Sequence, residues 1–193
     1  GKKPRELNVP GEEKFKGKGV SYCAICDAPF YKKKVVVIAG DGNSALHAAI
    51  TAAEVASHVY LIAKHDKFIG EEILIDKVKS YKNVKIFMAT KIAEICGDKK
   101  VDSIRLESGE EIKTDGIIIE IGHEIDRTLI KDLVKLDEKN QVIIDNMQNT
   151  SVPGIFAAGD LTNTPYNQIV ISAGEGAKAS LSVFNYLQSL KQK

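Results

Sequence analysis

Three observations predict an α/β fold built on a parallel sheet. Short β-branched runs recur along the chain, helical patterns alternate with them, and a glycine turn joins the first strong run to the first helix. The opening residues, up to about position 19, are rich in Lys, Gly and Pro, and Pro10-Gly11-Glu12-Glu13 is a turn signal. Residues 1–11 therefore read as a linker entering a domain. Lys34 to Ala39 is almost continuously β-branched, as expected of a strand covered on both faces. Asn43 to Ala56 reads as a helix whose alanines (Ala45, Ala48, Ala49, Ala52, Ala53) allow close approach to a sheet. His58 to Ile62 is the next strand, Glu71 to Tyr81 an amphipathic helix, and Val84 to Met88 a third strand.

This β-α-β order implies parallel pairing with right-handed crossovers, the doubly wound (Rossmann-like) arrangement. From Lys91 the texture changes to a small antiparallel excursion: Lys91 to Ile95, Val101 to Glu107 and Glu111 to Lys113, joined at Gly97-Asp98 and Ser108-Gly109. Gly116 to Ile121 returns as a buried strand. A second block begins near residue 123, with a short helix expected at Asp126 to Val134, strands at Gln141 to Asp145 and Val152 to Ala158, and a long helix at Gln168 to Leu190. The expected domains are residues 12–122 and 123–193.

The 193 residues carry 27 Lys+Arg against 26 Asp+Glu, so no basic field argues for nucleic acid. Basic clusters at Lys14 to Lys18 and Lys32 to Lys34 read as solvated turns. No run reaches the ~18 apolar residues of a membrane span, and no signal peptide pattern is present. Three cysteines do not make a secreted disulfide framework, so an intracellular, cytoplasmic protein is expected. The chain starts at Gly1 without an initiator Met, which suggests a piece of a longer protein.

Two motifs carry chemistry. Gly40-x-Gly42-x-x-Ala45, between a strand and a helix, is the dinucleotide fingerprint. Its first glycine permits the turn, the second lets a pyrophosphate approach the backbone, and the amides around Asn43, Ser44 and Ala45 open the helix toward phosphate. Asp41, between the glycines, puts a negative charge near that pyrophosphate. The residues that would read the adenosine ribose follow the second strand at Ala63, Lys64 and His65; Lys64 and His65 offer partial positive charge, but no arginine fork is present. NADPH and NADH both remain open. The second motif, Cys23-x-x-Cys26, can be a redox dithiol, a zinc half-site or two incidental thiols. Zinc would need further ligands, and Cys96, His47, His58, His65 and His123 do not stand at ligand spacing, so no metal is expected. Asp27, beside Cys26, can give or take a proton as a disulfide is reduced, or simply serve as a turn or cap residue.

Together with Val9-Pro10-Gly11-Glu12, Gly19-Val20-Ser21-Tyr22 and Thr150 to Asp160, these motifs resemble the low-molecular-weight thioredoxin reductases. The segment from Pro165 to Ser182 is especially similar to the flavoprotein subunit of alkyl hydroperoxide reductase. The resemblance implies a flavoenzyme in which NADPH or NADH reduces FAD, FAD reduces the dithiol, and the dithiol reduces thioredoxin or a similar small redox protein. It also implies that Cys26 faces the flavin, Cys23 attacks the partner and Asp27 is the acid or base. Gly159 and Asp160 match the motif that holds the FAD ribityl and phosphate region, and Gln168 and Ile169 match the segment beside the flavin ring. Relatives are typically homodimers. Such reductases have an N-terminal half of the FAD domain, so this chain would hold a nucleotide domain and the C-terminal part of a flavin domain. The alternatives are a redox-responsive nucleotide-binding module without turnover and an incomplete fragment that lacks activity.

Overall fold

The fold is described from a computed structural model, over residues 1–126, 128–166 and 168–191. The strands are β1 (Lys2–Pro4), β2 (Val20–Ser21), β3 (Val35–Ala39), β4 (His58–Ile62), β5 (Val84–Phe87), β6 (Ile92–Gly97), β7 (Val101–Leu106), β8 (Glu111–Lys113), β9 (Ile117–Ile119) and β10 (His123–Ile125). The helices are α1 (Ala24–Asp27), α2 (Asn43–Ala53), α3 (Glu72–Ser80) and α4 (Ile169–Lys191). The chain divides into two units, one spanning Pro4–Gly122 and the other combining Gly1–Lys3 with the chain from His123 onward.

The first unit is built on a parallel sheet of order β2-β9-β3-β4-β5. Because successive side chains of a strand point to opposite faces, β3 divides its residues between two cores. Val36 and Ile38 join Leu46, Ala48, Ala49 and Ala52 of α2 with Leu61 and Ile118. Val37 and Ala39 join Ile117 and Ile119 with Ile95, Ile104, Leu106 and Phe15. Burial on both faces is why this strand reads as an unbroken apolar run. The alanines of α2 have no side chain beyond Cβ, so the helix lies close on the sheet. It ends at Ala53, three residues before the expected end, where Val55 and Ala56 both donate to Ala52 O and turn the chain toward β4. The antiparallel sheet β6-β7-β8 covers the other face.

In the second unit β1 pairs with β10, with Lys3 Nζ 3.2 Å from the Glu124 carboxylate. Three expectations fail here. The helix expected at 126–134 is a run of turns among the described residues, Arg127 lying outside them; Asp126 Oδ1 accepts from both Thr128 N–H and Oγ1–H, Leu129 and Leu133 are exposed, and Val134 alone is buried, too little to hold a helix. The strands expected at 141–145 and 152–158 reduce to single bridges, Val142 to Leu136 and Thr162, and Phe156 to Asn149, since neither segment lies along a partner long enough for a ladder. The long helix forms from Ile169, one residue after its expected start. It is tied to the unit by Glu175, Ser172 and a Tyr186–Phe156 ring contact at 5.9 Å. No helix among the described residues is long and apolar enough to cross a membrane.

Candidate functional site

Parallel strands carry their C-terminal ends to one edge of a sheet, and the sites of open α/β folds lie there, where strand order reverses. In this sheet β3 continues to β4 on one side and has β9 on the other, so the reversal falls between β3 and β9. Cys23 follows β2, Glu120 follows β9, Gly40 follows β3, and Lys64 and His65 follow β4. The dithiol and the glycine turn therefore share one edge.

At the glycine turn, Gly40 has φ +144°, and a Cβ there would meet Glu120 O at 2.2 Å and Ala45 Cβ at 2.8 Å. Only glycine lets β3, β9 and α2 approach this closely. Gly42 differs: an added Cβ would meet only Ile69 O, at 3.9 Å, so the position is open. No side chain caps α2; of its first residues Ser44 is exposed and Asn43 half-buried, while Ala45 is fully buried against the sheet. An uncapped helix N-terminus next to a backbone cradle fits a pyrophosphate.

The loop after β4 is locked to this turn by two clasps. Asn43 Oδ1 accepts from Glu71 N–H at 2.8 Å while its Nδ2 donates to Glu71 Oε1 at 3.0 Å. Asp41 Oδ2 lies 2.6 Å from His65 Nδ1 and accepts His65 N–H at 3.2 Å, and Asp41 O accepts Ile69 N–H at 2.8 Å. The Asp41 carboxylate is thus turned to the loop that follows the second strand. Lys64 is exposed, and Ala63 is fully buried and offers no polar group.

Cys23 and Cys26 form a disulfide with Cα atoms 5.3 Å apart, joining the N-cap and third residue of α1. Cys23 Sγ also accepts Cys26 N–H at 3.3 Å. Cys26 is exposed, Cys23 is half-buried, and Ile25 between them is 85% exposed. Asp27 ends α1, half-exposed, near Tyr31, whose phenol is pushed up to about 12, first by burial and then by the charges of Asp27 and Asp115. Two carboxylates near the dithiol were not among the expected site residues, although Glu12 belongs to the Val9–Glu12 motif. Glu120 is half-buried, its Oε1 receives Ala24 N–H at 3.5 Å, and burial holds its carboxyl above the usual range. Glu12, only 3% exposed, accepts Leu7 N–H (3.0 Å), Asn8 N–H (2.7 Å) and the hydroxyl of Tyr22 (2.8 Å), the residue before Cys23. A carboxylate ending the run Ile117-Ile118-Ile119 was the available signal for Glu120.

In the second unit, Gly159 turns at φ +80° and donates its N–H to the buried Glu175 carboxylate at 2.6 Å. Thr164 hydrogen bonds the other oxygen of Glu175. Asp160 Oδ1 accepts the Ser172 hydroxyl at 3.2 Å. Helix α4 thereby fixes the turn that bears Asp160, while Gln168 and Ile169 stand exposed at the start of that helix, Ile169 at 91%. Among the described residues no group of three or more His, Cys, Asp or Glu side chains is placed to hold a metal ion.

The family model for pyridine nucleotide-disulphide oxidoreductases matches residues 1–176. An alkyl hydroperoxide reductase subunit of Xanthomonas campestris pv. phaseoli is 40% identical over 189 residues, covering 95% of this chain and 36% of that protein. The thioredoxin reductase of Lactococcus lactis superposes with a TM-score of 0.79 at 31% identity, and that of T. acidophilum with 0.77 at 39%; each comparison covers 98% of this chain and 64% of the other. The chain thus spans little more than a third of the curated relative and just under two thirds of the solved ones.

Proposed function

Because this chain belongs to the pyridine nucleotide-disulphide oxidoreductase family, we propose that it carries the nucleotide turn and redox dithiol of a flavoprotein disulfide reductase of the thioredoxin reductase type. In this reading residues 12–122 are the NAD(P)-binding domain, residues 1–11 the linker leading into it, and residues 123–193 the C-terminal part of the FAD-binding domain. The observation that carries it is the disulfide between Cys23 and Cys26 on the same sheet edge as the Gly40–Gly42 turn. Neither feature alone separates a reductase from a plain nucleotide-binding domain.

Gly40 and Gly42, with the amides of Asn43, Ser44 and Ala45, would hold the pyrophosphate of NADPH or NADH, and Lys64 and His65 would border its adenosine ribose. Asp160 and the Gly159 turn would hold the ribityl and phosphate region of FAD, with Gln168 and Ile169 beside the ring; the exposed apolar surface of Ile169 suits a flat aromatic partner. When bound, these cofactors would supply the hydride and the two-electron chemistry that reduces a disulfide.

The protein's own share of the chemistry is thiol–disulfide exchange. Once Cys23 and Cys26 are reduced, the Cys23 thiolate attacks one sulfur of a partner disulfide, and the partner's other sulfur leaves as a thiolate. The Cys26 thiolate then attacks Cys23, re-forming their bond and releasing the partner dithiol. Two electrons and two protons leave with the partner, and Asp27 is the group beside Cys26 that takes and returns a proton. Thioredoxin or a similar small redox protein is the proposed partner, a homodimer the proposed assembly, and the cytoplasm, where thiols are kept reduced, the proposed setting.

The test is disulfide reductase activity of the FAD-loaded protein with NADPH or NADH as donor. Cys23→Ser and Cys26→Ser are each expected to abolish reduction of a protein disulfide while leaving flavin absorbance intact. A protein that binds no flavin, or serine variants with full activity, overturns the proposal.

A further inference from the structure

We propose that Asp41 is the residue that reads the adenosine ribose, and that it makes the protein selective for NADH over NADPH. The proposal rests on the nucleotide site described above and assigns its substrate. In dinucleotide folds an acidic side chain near the end of the second strand accepts a hydrogen bond from the free ribose 2′-hydroxyl, while basic groups there bind a 2′-phosphate. At the corresponding place this chain has Ala63, whose side chain is apolar and fully buried. The acid arrives from the glycine turn instead. Asp41 Oδ2 lies 2.6 Å from Nδ1 of His65 and accepts the backbone N–H of the same residue at 3.2 Å.

Two consequences follow from this geometry. His65 has its ring Nδ1 and its amide turned to Asp41, so the groups best placed to receive a 2′-phosphate are already engaged by a carboxylate. Asp41 also keeps a side chain that is 17% exposed, enough for a hydroxyl to reach. A 2′-hydroxyl can donate to that carboxylate, whereas a 2′-phosphate can only be repelled by it. Exposed Lys64 and Lys67 in the same loop act in the opposite direction, but their charge is solvated and screened. The Ile69 N–H to Asp41 O hydrogen bond and the Asn43–Glu71 clasp keep the loop from swinging away from Asp41. The glycine turn therefore presents the Asp41 carboxylate to whichever nucleotide binds.

Binding of NADH and of NADPH is measured separately by isothermal titration on the wild-type protein, Asp41→Asn and His65→Gln, at 0.15 M salt. Repulsion between the Asp41 carboxylate and a doubly charged 2′-phosphate predicts a wild-type preference for NADH of roughly tenfold or more. Asp41→Asn, isosteric and uncharged, is expected to cut that preference at least about fivefold, whereas His65→Gln, which removes the imidazole and leaves the carboxylate, is expected to hold or widen it. Equal affinities in the wild type, a preference for NADPH, or an unchanged ratio in Asp41→Asn overturns the inference and leaves the nucleotide site standing. If neither nucleotide binds the wild type, the nucleotide site itself is refuted, and this inference with it.

Discussion

Glu12→Ala is expected to destabilise the first unit by about 3 kcal/mol. The Glu12 carboxylate is 3% exposed and accepts from Leu7 N–H, Asn8 N–H and the Tyr22 hydroxyl at 3.0, 2.7 and 2.8 Å. Alanine leaves all three donors without their acceptor. Hydrogen bonds to a charged group contribute about 1.5–3 kcal/mol each, but water can reach these partly exposed donors, so ~1 kcal/mol each is the working figure. Unfolding entropy of ~2.1 cal/mol/K per residue gives ~0.25 kcal/mol/K for a unit of about 120 residues, so the loss amounts to a fall of about 12 °C in Tm. Differential scanning calorimetry on the oxidised protein measures it. Tyr22→Phe removes one of the three donors and is expected to cost ~1 kcal/mol, and the double variant should cost less than the sum because both lose the same contact. If Glu12→Ala lies within about 0.5 kcal/mol of wild type, or the two substitutions are simply additive, the reasoning from buried acceptors fails.

The two glycines of the turn are expected to separate folding from binding. Gly40→Ala, with a positive φ and a Cβ driven into Glu120 O at 2.2 Å, should destabilise the protein by ~2 kcal/mol or more in urea titration. Gly42→Ala, facing open space, should leave the urea midpoint within experimental error and weaken nucleotide binding at least tenfold; a Gly42→Ala protein that binds as well as wild type removes the pyrophosphate from that position. The third expectation concerns pH. Burial raises the carboxyl of Glu120 above its ordinary 4.5, so the folded chain holds that proton where the unfolded chain has lost it. Stability from this group is complete below 4.5 and is lost as pH rises through the raised value, because the charged form is the one that burial disfavours. Glu120→Gln should therefore lack this decline, so its urea midpoint should rise relative to wild type between pH 4 and pH 7; parallel curves would refute the account.

How much of this was readable before folding depends on what each residue needs. β3, β4 and β5 were legible because burial on both faces demands apolar runs, and α2 because close packing on a sheet demands alanine at helical spacing. β1 and β10 were not, since Lys2–Pro4 and His123–Ile125 are polar or breaker-rich and find each other across some 120 residues of chain. The segments near 141–145 and 152–158 have strand composition, but composition alone cannot supply a neighbour, and they make one bridge or two instead of a ladder.

The site divides along the same line. The dithiol and the glycine turn are local motifs that spacing alone picks out. Glu120 and Asp41 acquire meaning from what the sheet sets beside them, Ala24 for the first and His65 for the second, and Glu12 from a local turn that brings Leu7 and Asn8 to it and from Tyr22 ten residues on. Asp41 illustrates the difference. Its position between Gly40 and Gly42 makes a carboxylate look like an obstacle to the pyrophosphate, yet the parallel pairing of β3 with β4 brings the loop of His65 within hydrogen-bonding distance and turns the charge aside. A residue that spacing marks as a defect in the phosphate cradle is thereby the one we assign to the ribose end of the proposed site, where an acid has a use.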